Sequence, residues 1–367
     1  MIKFHSIEDA ISDFRNGKLL IVVDDEDREN EGDFICAAET ITPELVNFMA
    51  KVGRGLICAP MAEEKAEQLQ LPLMVRSNTS LHETAFTISV DLTGNGCTTG
   101  ISAHDRAQTL KALADDKFVA ADFARPGHIF PLRAKSGGVL QRTGHTEAAV
   151  DLAKLAGMNP VAVLVEILNE DGSMARLPQL LEKSKELNLK IISISDLIEY
   201  RLRSERLIQM EGRSSMTINH HKFEIYQYKQ INSSDKHIAL VKGEIHPDKL
   251  IPIRAQYCEG FAEIIDLMIY QENAQLSKVL QYIQNQDCGI ILLLSNEGKE
   301  KIPLHRIIPE IQKPNAHPEQ DQREIGIGSQ ILKDLGVKKM QILTNNPRKN
   351  IAVEGYGLEV VEYVRYS

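Results

Sequence analysis

Asp24-Asp25-Glu26-Asp27-Arg28-Glu29-Asn30-Glu31-Gly32-Asp33 crowds seven carboxylates and one arginine into ten residues. The apolar, β-prone run Lys18–Val23 (KLLIVV) precedes it and Phe34–Ala38 (FICAA) follows it. A strand entering and a strand leaving pin such a loop at both ends. Packed carboxylates repel one another unless they are solvated or meet a cation. Two readings follow: a solvated turn, or a divalent-metal and polyol site with Arg28 as anion clamp. The spacing half-imitates a calcium loop, with Asp27, Glu29, Glu31 and Gly32 at its positions 1, 3, 5 and 6. Position 12 would be Ala38, where a bidentate glutamate is needed, so the pattern argues against a calcium hand.

The 367 residues suffice for two domains with separate cores. A net charge of −9 gives no global field toward nucleic acid or anionic membrane, so an anionic substrate must be held by local cations and backbone amides. Five cysteines, odd in number and never in a C-x-x-C pair, point to a reducing compartment. The start, MIKFHSIEDAISDF, has no apolar core of a leader, and no stretch reaches the roughly 18 apolar residues of a membrane span. A cytoplasmic, soluble protein without nucleic-acid or membrane partners is the expectation.

Outward from the acidic loop, Ser6 and Asp9 read as the cap of a helix closed by Gly17, and Thr42-Pro43 as the start of another running to Gly53. Gly55–Ala59 and Thr84–Leu92 read as strands. Gly94–Gly100 is a glycine-rich turn before a helix capped by Ser102, a weak anion-site signal by itself. Arg125–Pro131, with two prolines and a glycine, reads as a rigid loop presenting His128 rather than a central strand. Arg142–Thr146 fall at a helix N-terminus, where free N–H groups and the dipole favour phosphate. Pro160–Ile167 is a buried-strand run with the single charge of Glu166 near its end, either an ion-pair partner or a catalytic group. Alternating strands and helices predict α/β layers around a mixed sheet. The charged run Arg201–His221 reads as the domain boundary. Beyond it Glu224–Tyr226, His237–Val241 and Gly289–Leu294 read as strands, Ala274–Tyr282 and Ser329–Leu335 as helices, and Pro303–Asp321 as a loop.

Four ordered motifs, Asp24–Asp33 (DDEDRENEGD), Arg125–Leu132 (RPGHIFPL), Arg142–Ala148 (RTGHTEA) and Asn169–Arg176 (NEDGSMAR), resemble the signatures of 3,4-dihydroxy-2-butanone 4-phosphate synthase. The resemblance covers residues 1–205. It implies a mixed sheet with helices on both faces, a homodimer with sites near the subunit contact, and Mg²⁺- or Mn²⁺-dependent conversion of ribulose 5-phosphate to the butanone phosphate and formate in riboflavin biosynthesis. It also implies the residue roles. Glu29 and His145 are metal ligands. Arg28 and Asp33 hold the sugar, and Arg142, Thr143, Gly144 and Thr146 surround the phosphate. His128 and Glu166 transfer protons, and Glu31, Cys58 and Thr99 line the site. The chemistry agrees, because excising a carbon from a ketose phosphate passes through oxyanions that a hard cation stabilises. Each residue has a plainer reading: His128 bonded to a loop carbonyl, Glu166 in an ion pair, Cys58 in the core, Glu29 on solvated surface.

Residues 206–367 resemble a smaller α/β GTP cyclohydrolase II domain, through Ile325–Leu335 (IGIGSQILKDL), Leu343–Pro347 (LTNNP) and Glu354–Glu362 (EGYGLEVVE). That family holds zinc with three cysteines. Here only Cys258 lies near the first position, Ile269-Tyr270-Gln271-Glu272 stand where a C-D-C triplet belongs, and Gly298–Ile302 replace the family's arginine-bearing G-R-N-I-G. His220, His221, His246, His305 and His317 match no metal template. The expectation is an active synthase with an inactive structural or regulatory tail lacking Zn²⁺. The alternatives are an enzyme that is also a GTP cyclohydrolase II, and a non-catalytic metal-binding scaffold.

Overall fold

Ser6 opens the first helix, α1 (Ile7–Arg15), its hydroxyl accepting the Asp9 N–H at 3.2 Å, and Gly17 follows the helix with φ +75°. The computed structural model describes residues 4–26, 28–80, 84–231, 235–258, 274–295, 318–345 and 357–366. It divides into two units, Met1–Tyr200 and Arg201–Ser367, described here separately. In the first, β1 (Leu20–Val23) and β2 (Gly32–Ala37) flank the acidic loop as an antiparallel pair. Every residue of both strands is buried. Ile21, Val23, Phe34 and Cys36 belong to one core cluster, while Leu20, Val22 and Ile35 alternate with them and are equally buried. Side chains alternate along a strand, so both faces of the sheet are covered.

The chain continues through α2 (Pro43–Phe48), β3 (Cys58–Met61), α3 (Glu63–Gln68), β4 (Val90–Leu92), α4 (Ala103–Ala114), β5 (Phe123–Arg133), α5 (His145–Leu155), β6 (Ala162–Glu166), α6 (Leu177–Glu186), β7 (Lys190–Ser193) and α7 (Ile194–Ser204). The strands form one mixed sheet in the order β4-β5-β3-β6-β2-β1-β7. The β5–β3 and β1–β7 pairs are parallel and the rest antiparallel. An α/β fold on a mixed sheet is therefore present as expected.

Four local expectations differ. Gly55–Ala59 is strand only from Cys58, and that strand, β3, runs on to Met61. Arg125–Pro131 is not a free loop but the middle of β5, between β4 and β3. The prolines are accommodated because Val90 pairs with Ile129 and Asp91 with Ala124, leaving residues 125–128 as a bulge without β4 partners. Of Thr84–Leu92 only Val90–Leu92 is strand; Phe86 and Thr87 make isolated bridges to Leu132 and Leu73. The helix begun by Thr42 changes at Met49–Gly53 into a π turn.

The second unit contains β8 (Ile208–Ile218), β9 (His221–Gln230), β10 (Lys236–Lys242), β11 (Leu250–Cys258), α8 (Ala274–Gln284), β12 (Gly289–Ser295), α9 (Pro318–Asp334), β13 (Lys339–Leu343) and β14 (Glu359–Val364). Its sheet runs β14-β13-β11-β12-β10-β9-β8, antiparallel from β8 to β12 and parallel from β12 to β14. The polar run Arg201–His221 is the end of α7 and β8, which among the described strands is an edge of the sheet and whose exposed residues are mostly polar. Of the stretch read as a loop, Pro318–Asp321 begins α9, and residues 303–317 lie outside the described residues. So do Ile269–Glu272, Gly298–Ile302, His305 and His317. No described helix is long and apolar enough to cross a membrane.

Candidate active site

Val23 ends β1, and Asp24, the first residue of the loop, ties the turn together. Its carboxylate accepts the N–H groups of Glu29 and Glu31, at 3.1 and 2.8 Å, and the Arg28 guanidinium at 2.9 Å. Asn30 takes the left-handed conformation, φ 55°, which Asn tolerates. From the start of α6, Arg176 donates to the carbonyls of Glu29, at 2.9 Å, and Asn30. The acidic loop is thereby closed by its own first residue and clamped from outside by one arginine.

Opposite lies the start of α5. His145 is buried; its Nε2 is 3.1 Å from the Val22 carbonyl and its Nδ1 is 3.8 Å from Glu29 Oε2. A carbonyl only accepts, so Nε2 carries a proton and Nδ1 is the ring nitrogen that faces Glu29. Gly144 caps the helix with allowed dihedrals, and its role is spatial. A Cβ there would lie 2.3 Å from Arg142 Nη1, which pairs with the buried Glu147 at 2.5 Å. Arg142 also donates to Thr84 Oγ1 at 3.3 Å. Glu166 ends β6 directly across from Asp33 on β2, and its Oε2 accepts the Leu56 N–H at 2.8 Å.

These groups share one cavity of ≈ 360 Å³, lined by Arg28, Glu29, Glu31, Asp33, Cys58, Arg142, His145, Thr146 and Glu166, with Thr84, Phe86, Leu132 and Leu164. Elements as distant as the acidic loop, β3, the start of α5 and the end of β6 thus meet. Thr143, Gly144, His128 and Thr99 do not line it. Gly144 acts by making room for Arg142. The His128 ring bonds Asp91 Oδ2 at 2.6 Å, not a loop carbonyl, and its side chain remains 43% exposed. Of the four extra lining residues only Leu132 falls in a quoted motif, Arg125–Leu132, and none had a signal of its own. Asp24 had one, as the residue of the acidic run that directly follows the first strand.

The cavity is over-supplied with negative charge. Burial, partly countered by His145, pushes the Asp33 carboxyl up to about 7. Burial and the Glu29 charge also raise Glu31. Burial alone would lower His145, but Asp33, Glu29 and Asp24 carry it up to about 9. Burial, with Glu166 and Asp33, holds Cys58 as a thiol, so it is wall and not nucleophile. Asp24, Glu29 and His145 place ligand atoms within 4.8 Å of one another, the one such grouping among the described residues. Two carboxylates and a buried imidazole with one nitrogen fixed by a carbonyl fit a hard divalent ion once the other ring nitrogen has given up its proton. Arg28 pairs with both carboxylates at 2.9 Å, but only Asp24 also accepts the Glu29 and Glu31 N–H groups, so Glu29 and His145 are the better-placed pair.

A match to the family described as 3,4-dihydroxy-2-butanone 4-phosphate synthase spans residues 8–200. The chain belongs to this family. The synthase domain is joined to residues 209–365, which match GTP cyclohydrolase II. Among curated relatives, the riboflavin biosynthesis protein RibBA of Cytophaga hutchinsonii is 50% identical over 99% of this chain and 92% of its own. That of Aquifex aeolicus is 45% identical over the same shares. Among solved structures, RibBX, a two-domain 3,4-dihydroxy-2-butanone 4-phosphate synthase from A. baumannii, is 37% identical, with TM-score 0.77 over 98% of this chain and 99% of that one. A synthase in complex with two magnesium ions is 43% identical, with TM-score 0.53 over 55% of this chain and 98% of that one. The chain is accordingly an enzyme of the synthase class, and divalent-metal dependence is a property of its family.

Proposed function

We propose that the first domain converts D-ribulose 5-phosphate to L-3,4-dihydroxy-2-butanone 4-phosphate and formate, as a homodimer, and that the second domain carries no zinc or GTP chemistry. The observation that carries the first half is the meeting of Glu29, His145, Arg142 and Glu166 in one cavity. Glu29 and His145 would hold Mg²⁺ or Mn²⁺, which when bound polarises the sugar oxygens and stabilises oxyanions beside the carbonyl. Arg142 and the first turn of α5 receive the phosphate, where the guanidinium and the helix dipole add. Asp33 and Arg28 orient the hydroxyls. Glu166, held at its Oε2 by the Leu56 N–H, takes and returns protons at the sugar carbons.

What supports the dimer is the distribution of exposed apolar residues. Leu56 binds Glu166, and Leu73 and Met74 bridge to Thr87 and Phe86 at the cavity wall; all three side chains are exposed, as is Val75. Ile101, also exposed, adjoins Gly100, which covers the half-exposed His128. A two-fold contact between the two patches would present His128 of one copy to the cavity of the other.

For the second domain, cysteine placement supports the reading. Residues 206–367 contain only Cys258 and Cys288, too few for a three-thiolate zinc site. Along the parallel pair β11–β12, Cys258 stands opposite Ser295 and Ile253 opposite Ile290. Cys288 is thus level with Ile251, roughly 20 Å down the ladder at about 3.3 Å per residue. The two cannot share an ion. A structural or regulatory role remains, in a reducing, cytoplasmic setting in keeping with the free Cys36, Cys58, Cys97 and Cys288.

The family match over residues 209–365 favours a second reading, in which that domain also hydrolyses GTP. One assay separates them: formate release is followed with ribulose 5-phosphate and Mg²⁺, and then with GTP and Zn²⁺. Formate in the first alone is expected. Formate from GTP, with stoichiometric zinc, would establish the second reading, and none in either would leave a scaffold.

A further inference from the structure

We infer that Asp91 is a positioning residue for the reaction: it fixes the His128 ring as the Nδ1–H tautomer and so makes Nε2 the atom that exchanges protons with substrate. The inference rests on the reading that His128 serves catalysis. Asp91 grips a single residue twice. Its Oδ1 accepts the His128 backbone N–H at 2.8 Å and its Oδ2 lies 2.6 Å from His128 Nδ1. A carboxylate oxygen only accepts, so Nδ1 must bear the hydrogen and the Nε2 lone pair points away. The Asp91 side chain is only 12% exposed, whereas that of His128 is 43% exposed. The carboxylate is enclosed and the imidazole offers its far edge outward.

The surrounding backbone is shaped for this grip. The β5 bulge sets His128 beside Asp91 at the point where the β4–β5 register shifts. Gly100, φ +91°, closes over the pair, and a Cβ there would sit 2.0 Å from Asp91 Oδ2 and 2.8 Å from His128 Nδ1. Its loop is fixed in turn by Asp105, which accepts the Gly100 N–H at 3.0 Å and the Thr98 hydroxyl at 2.8 Å. Water is thereby kept from one side of the carboxylate, and the ring has little freedom to turn. When Nε2 takes a proton from a substrate hydroxyl, the imidazolium is held by the charge at Oδ2, and the same proton is returned from Nε2 later in turnover. Gly100, the last residue of the glycine-rich turn, therefore serves the proton relay.

The test is Asp91→Asn in the full chain, beside His128→Ala. Asparagine keeps an oxygen for the His128 N–H and turns its NH₂ toward Nδ1, which forces the Nε2–H tautomer. Nitrogen-15 spectra, with the His128 signals identified by their loss in His128→Ala, read the tautomer directly. Expected are Nδ1–H in the wild type, Nε2–H in Asp91→Asn, an unchanged melting temperature, and kcat reduced by about 10²-fold with KM little altered. A wild-type ring that is Nε2–H overturns the proposal without any variant. So does Asp91→Asn with wild-type kcat while His128→Ala is inactive. Wild-type turnover in His128→Ala would instead overturn the reading of His128 itself, and the proposal with it.

Discussion

His145 Nδ1 faces Glu29 Oε2 across 3.8 Å while the opposite ring nitrogen is held at 3.1 Å by the carbonyl of Val22, the penultimate residue of β1. A strand that leads into the acidic loop thus also aims the ring of a histidine more than a hundred residues away. The pair is prepared for a cation before one arrives.

The His145 pKa is raised in the folded, metal-free chain, from 6.5 to about 9, so its stabilising contribution is complete below 6.5 and is lost as pH climbs through 9. Asp33, raised from 3.8 to about 7, works in the same direction, because its buried charge costs stability above its ordinary range. Metal-free melting temperature should therefore fall between pH 5 and about 9, and Mn²⁺, which replaces the protons, should raise it more at pH 8.5 than at pH 6. Calorimetry in buffers of different ionisation heat should show proton release on binding. Equal melting shifts at both pH values and no released protons would count against Glu29 and His145 as ligands.

Glu166→Gln keeps an oxygen for the Leu56 N–H. The fold should be unaffected, with a melting temperature as in the wild type, while kcat falls by about 10²- to 10⁴-fold as a proton-transfer group is lost. Glu166→Ala should be inactive as well. Wild-type rates in either variant would remove Glu166 from the chemistry.

Arg176 does not line the cavity, yet it clamps the carbonyls of Glu29 and Asn30. Arg176→Met should loosen the acidic loop and weaken Mn²⁺ binding by roughly 10- to 100-fold, the usual cost of removing such outer support. Manganese titration by electron paramagnetic resonance measures this without turnover. An unchanged affinity would show that Asp24 suffices to close the loop.

Gly144→Ala places a methyl 2.3 Å from Arg142 Nη1 and forces the guanidinium off Glu147. If Arg142 holds the phosphate, KM for ribulose 5-phosphate should rise by about 10- to 100-fold, the worth of a charge-assisted hydrogen bond, with a smaller change in kcat. A wild-type KM would place the phosphate elsewhere.

The order of residues alone determined the strand–acidic loop–strand unit, the capped helix at His145, the lone carboxylate closing a buried strand at Glu166 and the shortage of cysteines beyond residue 206. These depend on local pattern and composition, which a linear chain displays. Only the tertiary structure decided that Glu166 stands across from Asp33, that Asp24 and Arg176 shape the loop, and that Gly144 makes room for Arg142. It also decided that Arg125–Pro131 is a bulged strand and that His128 answers to Asp91. The reason is physical. Those relations come from strand order and register, in which residues tens to more than a hundred positions apart lie within hydrogen-bond distance, and no local periodicity encodes which strand becomes whose neighbour.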